Sequence, residues 1–231
     1  MEPVIITVNH DAKRFIELCI KAVHLRTKLP YKHIIIDNGS KPDTINLLRT
    51  FSNKKWITLH ERHIAKVASG HANSLDWILQ NTKFDTVCLL DSDAYPVCNN
   101  WLNIMIDKMN KEKANVIGCS HFRDESLIHP SCMVFKYEAY LKARKPSFAI
   151  NKSGKFNDTG MIVCQKIKDN GYKLVPINRL TEMQKLVMHR WCATRLETAK
   201  DNLDGRPKSE WLKETQEWFN NQLVRESLEH S

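Results

Sequence analysis

No stretch of this 231-residue chain approaches the ~18 consecutive apolar residues that a bilayer-crossing helix needs. The opening residues Met1, Glu2, Pro3, Val4 carry no basic region ahead of their short apolar run, so the sequence reads as neither membrane-spanning nor secreted. Glycine (7) and proline (8) are scarce, which excludes collagen-like and low-complexity classes. No C-x-x-C pair, i,i+4 histidine pair or H-E-x-x-H is present, which removes the common zinc and dithiol motifs. The 7 cysteines are scattered and odd in number, as expected of a protein in a reducing cytoplasm.

What is present describes a folded domain. Hydrophobic residues make up 42% and charged residues 26%, and a chain of this length can bury a substantial core. The formal charge of +9 is localised: residues 136–195 hold 13 basic and 4 acidic side chains, whereas 196–231 hold 5 and 8. Such a surplus favours an anionic partner: a phosphate-bearing ligand, nucleic acid or an anionic membrane surface. A solvated lysine-rich face is the plainer alternative.

Residues 4–8 form a β-branched run ending at Asn9, and 14–25 then show helical spacing. The alternation recurs: a strand over 33–36 enters Asp37, a helix covers 44–51, and a weaker strand covers 56–59. A helix follows over 72–79, and an apolar strand over 86–90 enters Asp91, Ser92 and Asp93. Continuous apolar strands between helices imply an α/β fold with a mostly parallel sheet covered on both faces. Such sheets bind ligands beyond the carboxyl ends of their strands, which is where Asn9, Asp37 and Asp91 fall. Each could instead be a turn former or helix cap, the plainer reading for Asn9 but not for the Asp91 pair.

Asp91 and Asp93, two apart, point to the same side if the chain there is extended. Paired carboxylates repel unless a cation intervenes, and Mg²⁺ or Mn²⁺ held by such groups bridges to substrate phosphates. Dehalogenase-type phosphatases need D-x-D-x-[TV], but position 95 is Tyr. Sugar-nucleotide pyrophosphorylases need glycines after the first strand, and Asn9, His10, Asp11 and Ala12 supply none.

Taken in order, these segments resemble the inverting glycosyltransferases of the GT-A (nucleotide-diphospho-sugar transferase) fold, over roughly residues 3–195. The matching stretches are the first strand to Asn9, the I-D-N-G-S turn of 36–40, G-H-A-N-S-L of 70–75 and L-L-D-S-D of 89–93. They continue with the strand of 129–135, the F-N-D-T-G-M segment from Phe156 that ends in G-Y-K-L, and H-R-W-C-A-T-R of 189–195. The resemblance implies a nucleotide-sugar half (1–95), an acceptor half (96–195) and a C-terminal helical extension (196–231) packing on the domain. It further implies that Thr7, Asn9, Asp37, Gly70, Asn73 and Asp91 bind the nucleoside diphosphate sugar, a UDP-sugar by preference. Asp91, Asp93 and His189 would hold Mn²⁺ or Mg²⁺, and Asp158 would be the catalytic base. Asn157 and Gly160 depart from the usual neighbours of that base.

Asn157 or Asp158 is also a candidate N-cap for the following helix. The other histidines examined (His10, His60, His63, His71, His121 and His129) are assigned no metal. Trp77, Trp101, Trp211 and Trp218 read as packing anchors, and Trp191 as an acceptor-site wall. The basic block places an anionic acceptor against the second half. DNA carrying hydroxymethylated pyrimidines, the substrate of similar viral transferases, ranks first because no amphipathic anchor with a basic face is evident. A lipid-linked glycan on an anionic membrane, reached by peripheral contact, ranks second. A non-enzymatic basic nucleic-acid-binding module is the competing class, and it would have no need of Asp91, Asp93 and Asp158.

Overall fold

The computed structural model describes residues 2–62, 67–150 and 158–189, with 202–203, 206–207 and Lys213 beyond them. The chain divides into two units, Met1–His189 and Arg190–Ser231. Lys152, Lys155, Trp191, Trp211 and Trp218, and all of the expected terminal helix except Lys213, lie outside the described residues. In the second unit, two short strands over 202–203 and 206–207 pair antiparallel.

The first unit runs β1 (Val4–Asn9), α1 (Lys13–Arg26), β2 (Lys32–Asn38), α2 (Pro42–Asn53), β3 (Thr58–Arg62), α3 (Val67–Asn81), β4 (Thr86–Leu90) and β5 (Ala94–Pro96). It continues through α4 (Trp101–Lys111), β6 (Val116–Ser120), β7 (Ile128–Lys136), α5 (Tyr137–Lys142), α6 (Met161–Asp169), β8 (Leu174–Ile177) and β9 (Val187–His189). Seven strands form one sheet in the order β3-β2-β1-β4-β7-β6-β8. All its pairings are parallel except those of β7, which runs antiparallel to both β4 and β6.

Successive side chains on a strand point to opposite faces, and both faces here are apolar. Val4, Ile6, Ile34, Ile36, Val87, Leu89, Met133 and Phe135 pack beneath α3, α5 and α6. Ile5, Ile35, Cys88, Leu90, Cys132 and Val134 face α1, α2 and α4 on the other side. Trp101, at the start of α4, is fully buried, and its indole N–H donates to Thr27 Oγ1 at 2.9 Å. Trp77, the other anchor described, packs partly buried against the first of these layers. Among the described residues no helix is long and apolar enough to cross a membrane.

Beyond the main sheet, β5 and β9 pair antiparallel with Ala94 opposite His189. This small ribbon carries the end of the first unit back to the carboxyl end of β4.

Candidate active site

Two groups of side chains converge beyond the strand ends. Asp91 follows β4 directly, and its backbone N–H donates to Ser131 O of β7 at 3.1 Å. The chain then turns, with Ala94 N–H bonded to Asp91 O at 3.0 Å, and enters β5. The expected extended geometry is therefore corrected: a four-residue turn, not strand alternation, aims Asp91 and Asp93 at one point. The β5–β9 ribbon brings in His189. Its Nε2 lies 2.9 Å from Asp93 Oδ1 and 3.5 Å from Asp91 Oδ2, and ligand atoms of the three residues all fall within 4.8 Å of one another. His71, on α3, lies 3.8 Å from Asp91 Oδ1. Burial disfavours a charged His189 ring, but Asp93, by charge and hydrogen bond, and then Asp91 outweigh it and raise its pKa.

The second group gathers around Asp158. Its Oδ1 accepts the N–H of Thr159 at 2.8 Å, while Oδ2 lies 3.3 Å from His121 Nε2 and 3.9 Å from His129 Nε2. Burial raises the Asp158 carboxyl, but His121, the Thr159 N–H and the nearby His129 together bring it below the usual value. Desolvation pushes the His129 ring down to about 4, so it is neutral near pH 7. The β6–β7 hairpin explains the meeting: with Ser120 paired to Ile128, His121 just past the end of β6 and His129 in β7 lie diagonally across one face of the antiparallel pair, their ring centroids 5.3 Å apart. No sequence motif marks these two histidines; their one signal is that they flank a single hairpin. Asp158 does not cap α6. Gly160, in the left-handed region at φ 80°, is the N-cap. A Cβ there would lie 3.0 Å from Pro130 Cδ, so glycine lets this turn press against β7.

The two groups adjoin, with the His129 and His189 ring centroids 6.5 Å apart. On the first-half side, Asn9 and Asp37 are opposite one another on β1 and β2, both buried. Asn9 Nδ2 donates to Asp37 Oδ1 at 2.8 Å, and the Ser40 N–H donates to Asp37 Oδ2 at 2.9 Å. Asp37 thus braces the turn after β2, and Asp11 N–H, bonded to Ser40 Oγ at 2.8 Å, ties the loop after β1 to it. Gly70 lies against Asn38: a Cβ would come 1.9 Å from Asn38 Nδ2. Asn73 is exposed on α3. Thr7 does not join this group. It is fully buried within β1, and its hydroxyl lies 3.2 Å from His33 Nε2.

Comparison with known proteins matches residues 4–168 to the model of glycosyl transferase family 2. A search of curated proteins finds no match. Among solved structures, the chain is similar to a mannosyltransferase from Pyrobaculum calidifontis in complex with GDP-Man and Mn²⁺. The TM-score is 0.59 at 16% identity, over 77% of this chain and 55% of that one. It is also similar to residues 1–349 of TarS from S. aureus in complex with UDP-GlcNAc, with a TM-score of 0.57 at 12% identity, over 77% and 56%. The chain therefore spans little more than half the length of these structures. At such identities the likeness establishes the shared GT-A fold, and the family match, which runs from β1 through nearly all of α6, shows that this chain belongs to glycosyl transferase family 2.

Proposed function

We propose that this domain transfers a monosaccharide from a nucleoside diphosphate to an acceptor hydroxyl, with inversion at the anomeric carbon. The observation that carries the reading is the adjacency of two acid centres, Asp91–Asp93–His189 and Asp158, linked through the neighbouring His129 and His189 rings. Two hard carboxylates and one imidazole form a donor set that suits Mn²⁺, and Mg²⁺ through the carboxylates. The triad fits a divalent cation, because its two acids converge on one point with a single histidine between them. When bound, such an ion offsets charge on the departing diphosphate. Asp158, held ionised, accepts the proton of the incoming hydroxyl. Asn9, Asp37, Gly70 and Asn73 flank the nucleotide side, with UDP the preferred base carrier. The Mn²⁺ and nucleotide sugars in the two similar structures support this donor class.

For the acceptor we favour hydroxymethylated pyrimidine in DNA. The basic excess of 136–195 supports an anionic acceptor. So does Phe122, 44% exposed and stacked on His121, with the guanidinium groups of Arg123 and Arg179 5.2 and 5.7 Å from its ring. A lipid-linked glycan on an anionic membrane is the second reading, drawn from the same charge. The free cysteines among the described residues accord with a reducing cytoplasm.

The test is a panel of nucleotide sugars with Mn²⁺ or Mg²⁺, applied to wild type, Asp93→Asn and Asp158→Asn. Asp93→Asn should abolish metal-dependent donor binding in calorimetry. Asp158→Asn should keep that binding and lose ~10²- to 10⁴-fold in turnover. A folded wild-type protein that binds no donor would instead favour the basic binding module. Duplex binding that falls steeply with salt, followed by transfer to hydroxymethylated DNA, supports the first acceptor, and affinity confined to anionic vesicles supports the second.

A further inference from the structure

His121 and His129 offer ligand atoms that, with Asp158, fall within 4.8 Å of one another, the same spread as the Asp91–Asp93–His189 triad. Their outer contacts argue for a different use. A neutral imidazole carries its proton on one nitrogen and accepts on the other. The Arg123 backbone N–H donates to His121 Nδ1 at 3.1 Å, and the Ser131 N–H donates to His129 Nδ1 at 3.1 Å. Both Nδ1 atoms are thereby fixed as acceptors, so in the neutral rings the protons sit on Nε2, the nitrogens that face Asp158 Oδ2. A cation on either Nε2 would drive the proton to Nδ1, against a backbone N–H.

We propose that His121 and His129 are positioning residues for Asp158, a pair of Nε2–H tautomers locked by backbone donors and aimed at one carboxylate oxygen. His121 carries the larger share. Its side chain is fully buried, a buried N–H needs an acceptor, its Nε2 makes no other hydrogen bond among the described residues, and Asp158 Oδ2 lies 3.3 Å away. His129, at 3.9 Å, acts through its dipole. With Oδ1 already accepting the Thr159 N–H, the carboxylate is oriented from both sides and stays ionised in a half-buried place. This assignment rests on Asp158 being the base. Asp91 and His189 also bear on His129, and the Arg123 and Arg179 guanidinium groups lie over Phe122, the ring stacked on His121.

Two measurements test it. In long-range ¹H–¹⁵N spectra of the full chain at pH 7, both rings should be Nε2–H tautomers; an Nδ1–H tautomer at either ring overturns the proposal. This readout needs neither donor nor acceptor, so it stands apart from failure of the transfer reading, which unchanged turnover in Asp158→Asn would reveal. The second is the pH profile of hydrolysis of the nucleotide sugar that the donor panel identifies. His121→Leu should move the acid limb up by about one pH unit, a roughly tenfold loss below the limb that recovers at higher pH. His121→Gln, which keeps an N–H donor, should restore the limb. Equal losses at every pH, or Leu and Gln variants that behave alike, would overturn it. Melting curves taken alongside identify a variant that has failed to fold, and the wild-type spectra then decide.

Discussion

Two histidines buried as neutral rings should make this fold sensitive to mild acid, by an amount the structure sets. Burial lowers His33 to about 3 and His129 to about 4, while both rings titrate near 6.5 in the unfolded chain. Between those values the unfolded state binds more protons, so stability rises with pH and is lost as pH falls below 6.5. At pH 5 each ring stays neutral when folded and is nearly all protonated when unfolded, a loss of about 2 kcal/mol per ring relative to pH 7. Of the two other sites, Asp158 lies below this window and His189 offsets part of the loss between pH 7 and 6.5, equally in wild type and in a His33 variant. His189, raised by Asp93 and Asp91, contributes stability that is full below 6.5 and lost as pH rises through its higher folded value. Asp158, lowered on balance, contributes from above 3.8 and loses it only as pH falls through its still lower folded value.

Urea unfolding at pH 7 and pH 5 measures the effect. Wild type should lose about 4 kcal/mol from the two rings together, and His33→Asn only about half of that. Any packing penalty in the variant is common to both pH values and cancels in the difference. A variant with the same pH-linked loss as wild type would refute the reasoning.

Other expectations concern single contacts. Gly160→Ala meets both a left-handed φ of 80° and Pro130, and should cost ~2 kcal/mol or more in chemical denaturation. Gly171→Ala, at φ 81° with open space around it, should cost only ~1 kcal/mol, so the difference isolates the Pro130 contact. Trp101→Phe removes the donor to Thr27 Oγ1 inside the core and should cost ~1–3 kcal/mol, visible as a lower melting temperature.

The strands that read directly from the sequence were those buried on both faces. The apolar run of β4 is recovered residue for residue, and β1 and β2 differ by one or two residues at their ends, because continuous apolar runs leave little else to form. Helix positions were legible from spacing, but α3 spans Val67–Asn81, beyond the expected 72–79, because Ser69, Gly70 and His71 interrupt the apolar spacing ahead of Ala72. The three-residue strands β5 and β9 carry no periodicity, and only their pairing gives them identity. The same holds at the site. Asp91 and Asp93 announced themselves by spacing, although a turn rather than a strand joins them. His121 and His129 did not, because their relation exists only once β6 and β7 are paired. Thr7 shows the converse: a polar residue near a strand end whose hydroxyl lies against a neighbouring core side chain.

The hydrogen bond from Asp91 N–H to Ser131 O ties the residue after β4 to the middle of β7. His129 stands two residues before that carbonyl, on the strand that pins Asp91. The spacing of Asp91 from His129 is thus set by the gap between neighbouring strands, about 4.8 Å, whereas Asp158 reaches His129 from the turn before α6. Changes confined to the other rim loops leave that pair of strands, and the spacing they set, in place.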